Sequence, residues 1–406
     1  MEKLWTKDFT IITLGTVVSM LGNAISGFAI GLLVLDYSGS VFLYTLFLVA
    51  YNLPKIVMPI IAGPFLDKFS RKRTIYCLDF LSSGIYMLLA LLMFFREFNY
   101  SELLFFSLLI GSIDSVYQVA YDSFYPNVIT PGNFRKAYSV SSMIFPLSAA
   151  MIPVSAYVYE IWGITPLFIF NALSFLIAAI FETRIETEET HDISTGAEFG
   201  ISGFKRTFIE GVSYIKSEKG LIAITVYFCL SFFCGASDAV VLPYFKSVPD
   251  LGVYKYCLVM GAFVVGRLCG GVVQYRLRYP ADKKFQIAVA VYIILSVISG
   301  GYLYLPLAIM TVLSFISGAL SVTSYNIRVA ATQSYVPDDK RARFNGVFQM
   351  LCNTGQITGQ LAAGALAEIV PPRVVIVIFM SLNFVSALGV MLPARKKVEP
   401  IYNQDI

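Results

Sequence analysis

Apolar segments of about 20 residues recur along this chain and alternate with short polar stretches. Each segment is long enough to cross a bilayer as a helix, because about 20 helical residues span the hydrocarbon core. We predict spans at residues 9–35, 41–66, 74–95, 103–125, 137–159, 165–181, 221–245, 253–275, 285–303, 306–330, 344–369 and 374–392. The pattern therefore predicts an all-α integral membrane fold, with about twelve transmembrane helices in two six-helix halves of pseudo-symmetric plan.

A long polar stretch at residues 182–219 separates the two halves. In its second part Phe204, Phe208, Val212 and Ile215 recur at helical spacing, with charged residues on the other faces. Such spacing predicts an amphipathic helix lying on the membrane surface. The predicted domains are an N-terminal half (1–182), a cytoplasmic linker with this helix (183–219), a C-terminal half (220–394) and a cytoplasmic tail (395–406).

The composition agrees with a membrane protein, since 57% of the residues are hydrophobic, 14% are charged and the mean hydropathy is +0.72. The Lys and Arg residues form short clusters between spans, which argues against nucleic acid as a partner because that partner needs a solvated basic surface. Most of the six cysteines lie in apolar runs without paired spacing, so we interpret them as buried hydrophobic residues. The segment before the first span has no small-residue cleavage site, and we expect that span to be retained.

Basic residues are concentrated in every second loop between spans, as expected for loops that stay in the cytoplasm. These loops contain the basic residues of 68–73, 135–136, the linker, 276–284 and 340–343, and the tail adds those of 395–397. The other loops contain few basic residues besides Arg96, Lys246 and Arg373. The asymmetry predicts a multi-pass protein of the cell membrane with both termini in the cytoplasm.

An internal repeat is visible in the loops that follow the fourth and tenth spans. Residues 125–140 and 331–346 both place a proline, a polar turn and a basic pair after a span. Aligning Pro131 with Pro337 gives an offset of 206 residues, about half the chain. The repeat indicates that the two halves share one plan in parallel orientation.

The stretch between the second and third spans carries the most specific motif. It consists of a glycine, an acid four positions on, a basic residue and a basic cluster, at Gly63, Asp67, Lys68, Arg71 and Lys72. The motif and the two-half plan resemble major facilitator transporters, and the surrounding residues are similar to the macrolide-efflux and siderophore-exporter subgroup. The resemblance implies a motif that latches the cytoplasmic side in one of two states. The alternative is a simple positive-inside anchor.

A second gate element is predicted from the repeat. Asp122 and Arg328 are separated by the same 206 residues, so they occupy equivalent positions in the two halves with opposite charges. We expect an ion pair between them that closes the cytoplasmic gate. The alternative is that the two residues are unrelated and either snorkel or are paired locally.

Charged residues inside spans are costly unless they face a cavity or a partner. The resemblance places spans one, four, seven and ten around a central cavity, which makes Asp114 and Asp238 the candidates for proton coupling. The alternative for Asp114 is a structural acid, hydrogen-bonded to neighbouring helices. The substrate-cavity candidates on these spans are Asn23, Phe28, Tyr117, Gln118, Tyr121, Phe232, Tyr325 and Asn326.

The resemblance implies a secondary transporter working by alternating access, and we expect a proton-coupled exporter of a drug-like, macrolide-like or siderophore-like small molecule. Residues 152–156 lack the glycine-proline pair of family exporters, so an importer or facilitator of a small metabolite is the alternative. A membrane-embedded enzyme is disfavoured, because the single histidine, His191, lies in the linker and the spans carry no catalytic constellation. We expect no cofactor, no metal and no use of ATP, and we expect a monomer surrounded by membrane lipids.

Overall fold

A computed structural model of the chain describes residues 3–58, 69–95, 99–130, 150–187, 201–276 and 279–404, and positions 133, 137, 140, 141, 144 and 148. These residues form helices and short 3-10 or π turns, and they contain no strand. The helices are α1 (Lys7–Ser38), α2 (Val41–Asn52), α3 (Arg71–Phe95), α4 (Tyr100–Phe124), α5 (Ile152–Trp162), α6 (Thr165–Glu182), α7 (Ile201–Ser217), α8 (Lys219–Gly235), α9 (Val241–Ser247), α10 (Gly252–Arg276), α11 (Lys284–Gly301), α12 (Leu307–Tyr335), α13 (Asp338–Ala367), α14 (Pro372–Ser386) and α15 (Arg395–Tyr402).

Ten of the described helical segments are long and apolar enough to cross a membrane, and each coincides with a predicted span. The fifth predicted span is only partly described, and α5 is its described part. The eleventh predicted span corresponds to α13, a helix of 30 residues. Amide side chains such as Gln349, Asn353 and Gln356 make α13 too polar to belong to the ten. The prediction of an all-α membrane fold is confirmed.

The chain forms two compact units. Unit 1 comprises Met1–Gly39 and Phe47–Ser202, and unit 2 comprises Ser40–Leu46 and Gly203–Ile406. Unit 2 therefore includes the first turns of α2. The domain boundaries predicted from the sequence stay predictions.

Small polar side chains join the helices of unit 1. The Ser83 hydroxyl donates to the Ala172 carbonyl at 2.8 Å and joins α3 to α6. The Ser155 hydroxyl donates to the Ile25 carbonyl at 2.6 Å and joins α5 to α1. Small side chains let helix backbones approach closely, and these bonds satisfy polar groups that lipid cannot satisfy.

Helices α10 and α12 of unit 2 cross at a distance that only glycine permits. A Cβ atom added to Gly266 would lie 2.0 Å from the Phe315 carbonyl oxygen. A Cβ atom added to Gly318 would lie 2.1 Å from the Phe263 carbonyl oxygen. Each helix therefore contributes a glycine that receives the backbone of the other helix.

Helix α7 lies within the stretch where the sequence predicts an amphipathic helix, and its apolar face packs on unit 2. Ile215 is buried in the hydrophobic core of this unit, and Phe208 packs against that core. On another face the Glu210 carboxylate lies 3.1 Å from the Arg206 side chain and 3.0 Å from the Arg343 side chain of α13. Ile215, Phe208 and Glu210 thus contact other protein groups, whereas Ile209 of the same helix is exposed.

The segment predicted as a cytoplasmic tail forms helix α15, and this helix packs into unit 2. Val398, Ile401 and Tyr402 are buried in the unit's core. The Tyr402 hydroxyl lies 3.1 Å from the hydroxyl of Tyr292, which belongs to α11. The tail is therefore a structural part of unit 2.

The start of α2 is capped by two side chains of unit 2. The Glu368 carboxylate accepts a hydrogen bond from the Ser40 hydroxyl at 2.6 Å and from the Phe42 backbone N–H at 2.9 Å. The Ser40 hydroxyl in turn accepts from the Leu43 backbone N–H at 3.1 Å. These bonds satisfy N–H groups that have no partner inside the helix, and an anion is favoured at this end of the helix dipole. The N–H of Phe42 and the Ser40 hydroxyl hold the pKa of Glu368 below its ordinary value of 4.5.

We expect Glu368→Gln to lower the apparent melting temperature of the purified protein at pH 7. A carboxylate at a helix N-terminus contributes about 0.3–1 kcal/mol, and we expect the lower end because Glu368 is exposed and water screens its charge. Since the folded-state pKa is depressed, this contribution is complete above the ordinary pKa and is lost as the pH falls through the folded-state pKa.

The measurement is a comparison of melting temperatures for the two proteins between pH 7 and pH values below about 4.5. The difference should be present at pH 7 and should disappear in acid. Glu160→Gln, a change at an exposed carboxylate in α5, is the control and should have no such pH-dependent effect. A difference that is independent of pH would contradict the assignment.

Candidate functional site

Unit 1 contains a cavity of about 730 Å³ between α1, α2, α3, α4 and the neighbouring helical turns. Its described wall is mixed, with apolar side chains such as Met20, Ile113 and Phe175. The polar and ionisable lining residues are Thr16, Ser19, Asn23, Tyr51, Lys55, Asp79, Ser82, Asp114, Ser115, Tyr117, Gln118, Tyr121, Asp122, Ser141 and Ser148. Such a wall suits a ligand that has both apolar surface and a few polar groups.

Asp114 of α4 lies at the polar centre of this cavity. The Tyr51 hydroxyl donates a hydrogen bond to its Oδ2 atom at 2.5 Å. The Asn23 side chain lies within hydrogen-bonding reach of the same carboxyl group. Lys55 lies 4.4 Å from the centre of the Tyr51 ring and donates to Asn52 at 3.0 Å. Groups from α1 and from the helical segment Val41–Met58 therefore lie around Asp114.

A ladder of tyrosine rings continues from Asp114 along the same face of α4. The ring centres of Tyr117 and Tyr121 are 6.1 Å apart, and those of Tyr121 and Tyr125 are 5.2 Å apart. Residues four apart in a helix lie on one face, which explains the stacking. Gln118 donates to Asp122 at 2.9 Å beside the ladder. Asn23, Tyr117, Gln118 and Tyr121 thus line one cavity, whereas Phe28 is half-buried on α1 and is not among the described lining residues.

The cavity wall contains residues to which the sequence reasoning gave no functional role. Tyr51 comes from the second predicted span, which the family resemblance does not place around the cavity. Lys55, a charge in the same span, is interpreted from the sequence as a snorkelling or structurally paired residue, whereas the structure places it in the cavity wall. Asp79 is buried in α3 and lines the cavity, and Glu182 is buried at the end of α6 beside Asp79. A charge within the apolar run 74–95 was the available signal for Asp79. Glu182 carried no such signal, because it lies just after the predicted sixth span.

The predicted gate is described only in part. Gly63, Asp67 and Lys68 lie outside the described residues. The Arg71 side chain donates to the Ser123 carbonyl at 3.3 Å, and Lys72 donates to the Ile185 carbonyl at 3.1 Å. These bonds connect the start of α3 with the ends of α4 and α6.

The candidates of unit 2 lie in several different environments. Asp238 is exposed in a 3-10 turn between α8 and α9, and Tyr325 is exposed on α12. Phe232 packs at the edge of a hydrophobic core cluster. Asn326 donates to Gln274 at 2.8 Å.

Arg328 of α12 is surrounded by aromatic rings of its own unit. Its guanidinium group lies 4.8 Å from the centre of the Phe228 ring, 4.9 Å from that of Phe348 and 5.4 Å from that of Tyr325. Aromatic faces attract a guanidinium group, so these contacts stabilise the cation. The predicted pairing of Asp122 with Arg328 stays a prediction.

The fold is that of a multi-pass helical membrane protein, and unit 1 contains a cavity of the size of a small-molecule site. The family model of the Major Facilitator Superfamily matches residues 12–359, and the chain belongs to this family. It is therefore a membrane transporter with a small-molecule substrate, and it is not an enzyme. The resemblance recognised in the sequence is confirmed.

Several known proteins are similar to this chain. An uncharacterized MFS-type transporter, YkuC of Bacillus subtilis, is 23% identical over 305 residues, which cover 72% of this chain and 70% of that protein. Macrolide efflux protein A of Streptococcus pyogenes is 23% identical over 288 residues, which cover 68% of this chain and 70% of that protein.

Solved structures show the same fold at low sequence identity. A point mutant of the nucleoside transporter NupG has a TM-score of 0.73 at 12% identity and covers 95% of this chain and 98% of its own. A bacterial homologue of the human lysosomal transporter Spinster, in an inward-facing and unoccupied conformation, has a TM-score of 0.69 at 13% identity. It covers 96% of this chain and 97% of its own.

Proposed function

We propose that this protein is a proton-coupled secondary transporter that exports a bulky amphipathic small molecule across the cell membrane by alternating access. The observation that carries the proposal is the cavity of about 730 Å³ with Asp114 at its polar centre. The volume falls within the range of about 300–1,000 Å³ that is usual for small-molecule sites. The substrate is drug-like, macrolide-like or siderophore-like. Both termini lie in the cytoplasm, as the distribution of basic residues predicts.

The charges of the wall favour an amine-bearing substrate within this class. Among the described lining residues, Asp79, Asp114 and Asp122 are acidic and Lys55 is the base. Tyrosine rings next to these acids offer π faces, which attract a desolvated cation. Similarity to a protein named for macrolide efflux supports a large amphipathic molecule and the direction of export.

Asp114 is the proposed point of competition between substrate and proton. The half-buried Asp114 carboxylate, which faces Lys55 and accepts a hydrogen bond from Tyr51, can bind either a proton or a cationic substrate. A protonated Asp114 has lost the charge that attracts an amine. Binding of a proton therefore displaces a cationic substrate, which is the relation that antiport requires.

Arg71 and Lys72, with Gly63, Asp67 and Lys68, form the proposed cytoplasmic latch. Such contacts favour one of two states rather than binding substrate. The proposed Asp122–Arg328 ion pair would act in the same way. Asp238 is the second candidate for proton coupling.

We expect Asp114→Asn to abolish gradient-driven transport and to leave the protein folded. The assay uses proteoliposomes that contain the purified protein, with erythromycin or ethidium as the probe and an imposed pH gradient as the driving force. Asparagine keeps the shape and an acceptor for Tyr51, but it cannot bind or release a proton. Asp250→Asn, at an exposed loop position, is the matched control and should transport like the wild type.

The same assay tests the role of Asp114 and the direction of transport. Wild-type activity in Asp114→Asn would contradict the role of Asp114. Gradient-driven uptake in the direction that corresponds to import would contradict export and would favour an importer of a small metabolite. An equal rate with and without the pH gradient would favour a facilitator.

A further inference from the structure

Two buried carboxyl groups lie next to each other in unit 1. Asp79 of α3 is 1% exposed, and Glu182 at the end of α6 is fully buried. The two carboxyl groups are within hydrogen-bonding reach of each other. Among the described residues, no group donates a hydrogen bond of normal geometry to any of their carboxylate oxygens. Two acids thus lie side by side, and no described donor reaches them in normal hydrogen-bonding geometry.

The packing around the pair keeps it in place. Helices α3 and α6 run antiparallel, because Lys72 at the start of α3 contacts Ile185 just after the end of α6. Asp79 lies eight residues after the first residue of α3, about 12 Å along the helix. On the α1 side, a Cβ atom on Gly15 would come within 2.9 Å of Glu182 Oε1, so the carboxyl group rests directly on that backbone.

Two buried hydroxyl groups lie beside the two carboxyl groups. The Ser19 hydroxyl is buried beside Asp79 and makes no hydrogen bond of normal geometry with a described residue. The Tyr117 hydroxyl is buried close to both acids and is likewise unsatisfied. Buried polar groups normally have partners, so a small bound species such as a proton, a water molecule or an ion is expected here.

We propose that Asp79 and Glu182 form a proton-binding site in which the two carboxyl groups share one proton. Two adjacent carboxylates in a medium of low dielectric constant repel each other, and a single proton between them converts the repulsion into a strong O–H···O bond. The bound proton also gives a partner to oxygens that otherwise lack one. The two acids then bind and release this proton as a coupled pair.

The site communicates with the cavity, because Asp79 lines the cavity wall together with Asp114 and Tyr117. Among the described residues, the charged or titratable groups that face the pair or its cavity neighbour are Asp114 and Tyr117 of α4, Tyr86 of α3 and, on the far side of Asp114, Tyr51 and Lys55. The use of this site in transport rests on the proposed proton coupling. Binding of the proton itself does not depend on that proposal.

Infrared difference spectroscopy of the purified full-length protein in lipid tests the site without any substrate. A protonated carboxyl group has a carbonyl-stretching band that shifts in D2O. We expect such a band at pH 7 in the wild type, with loss of the band in Asp79→Asn/Glu182→Gln. The band of the pair should persist in Asp114→Asn, which removes a half-buried acid outside the pair.

Single variants keep the test valid where the double variant does not fold. In Asp79→Asn or Glu182→Gln the proton loses its carboxyl partner, so the band must change in intensity or position in each variant. A spectrum that is unchanged in both single variants, or in which the only carboxyl band is lost in Asp114→Asn and kept in the pair variants, would overturn the site. Exchange of choline for sodium at constant pH should leave the band unchanged, and loss of the band in sodium would overturn the assignment of the ligand as a proton.

A transport assay separates this inference from the proposed function. We expect the pair variants to lose pH-driven ethidium efflux in proteoliposomes and to retain ethidium exchange in the absence of a gradient. If Asp114→Asn transports normally, the proposed role of Asp114 is wrong. The infrared band still tests whether Asp79 and Glu182 bind a proton. If the pair variants transport normally and the band is lost, the site binds a proton that transport does not use, which would overturn the proposed link to coupling.

Discussion

Gly266→Ala is expected to destabilise the protein by about 1–3 kcal/mol, the usual cost of forcing an extra group into a packed interface. The new Cβ atom would lie 2.0 Å from the Phe315 carbonyl oxygen. This neighbour is a backbone atom of α12, so it cannot move away by changing a rotamer. Helices α10 and α12 must separate, and the close contacts along their crossing are weakened.

The control for this prediction is Gly261→Ala in the same helix. A Cβ atom at Gly261 has no neighbour within 4 Å. Alanine has the higher helix propensity, by up to about 1 kcal/mol, so the control should have an unchanged or slightly higher melting temperature. The measurement is thermal unfolding of the purified proteins in detergent, followed by size-exclusion chromatography. Equal melting temperatures for the two variants would show that the close crossing does not stabilise the protein.

Tyr402→Ala is the second change for which we expect a large effect, a loss of about 3–5 kcal/mol, as for other large buried aromatic residues. The Tyr402 side chain is fully buried, and its ring lies 6.2 Å from the ring of Phe285. Its removal would leave a cavity between α15 and the core of unit 2. The purified variant should therefore have a much lower melting temperature.

Tyr402→Phe separates packing from hydrogen bonding at this position. The phenylalanine ring fills the same space, and only the contact with the Tyr292 hydroxyl is lost. We expect a cost of about 0.5–1.5 kcal/mol, the usual net value of one hydrogen bond. If Tyr402→Ala were as stable as Tyr402→Phe, α15 would not be a structural part of unit 2.

The number and position of the spans could be read from the sequence because they depend on local properties. A run such as residues 285–303 is apolar and about 20 residues long, and no other part of the chain is needed to recognise it. The same reasoning located α7 through the spacing of Phe208 and Ile215. It did not predict that the tail contains the packed helix α15. The eight residues of this helix include three consecutive basic side chains and have no clear apolar pattern of their own.

Part of the candidate site could be predicted from the sequence. Asp114 was identified because an acid near the middle of an apolar segment is costly, and the structure places it in the cavity. Asp79 carried the same signal and was overlooked. Its pairing with Glu182 could not be deduced, because about 100 positions separate the two residues in the chain, and their contact depends on how α3 and α6 pack.

The sequence by itself determined that this protein is an all-α membrane transporter of two halves, because hydropathy, charge asymmetry and a short family motif are properties of contiguous residues. Only the tertiary structure decided which polar groups meet. The Tyr51 bond to Asp114, the Asp79–Glu182 pair and the cap that Glu368 places on α2 each join segments that are distant in the chain. The physical reason is that helix rotation and interhelical packing set these contacts, and both depend on the fit of whole helix surfaces.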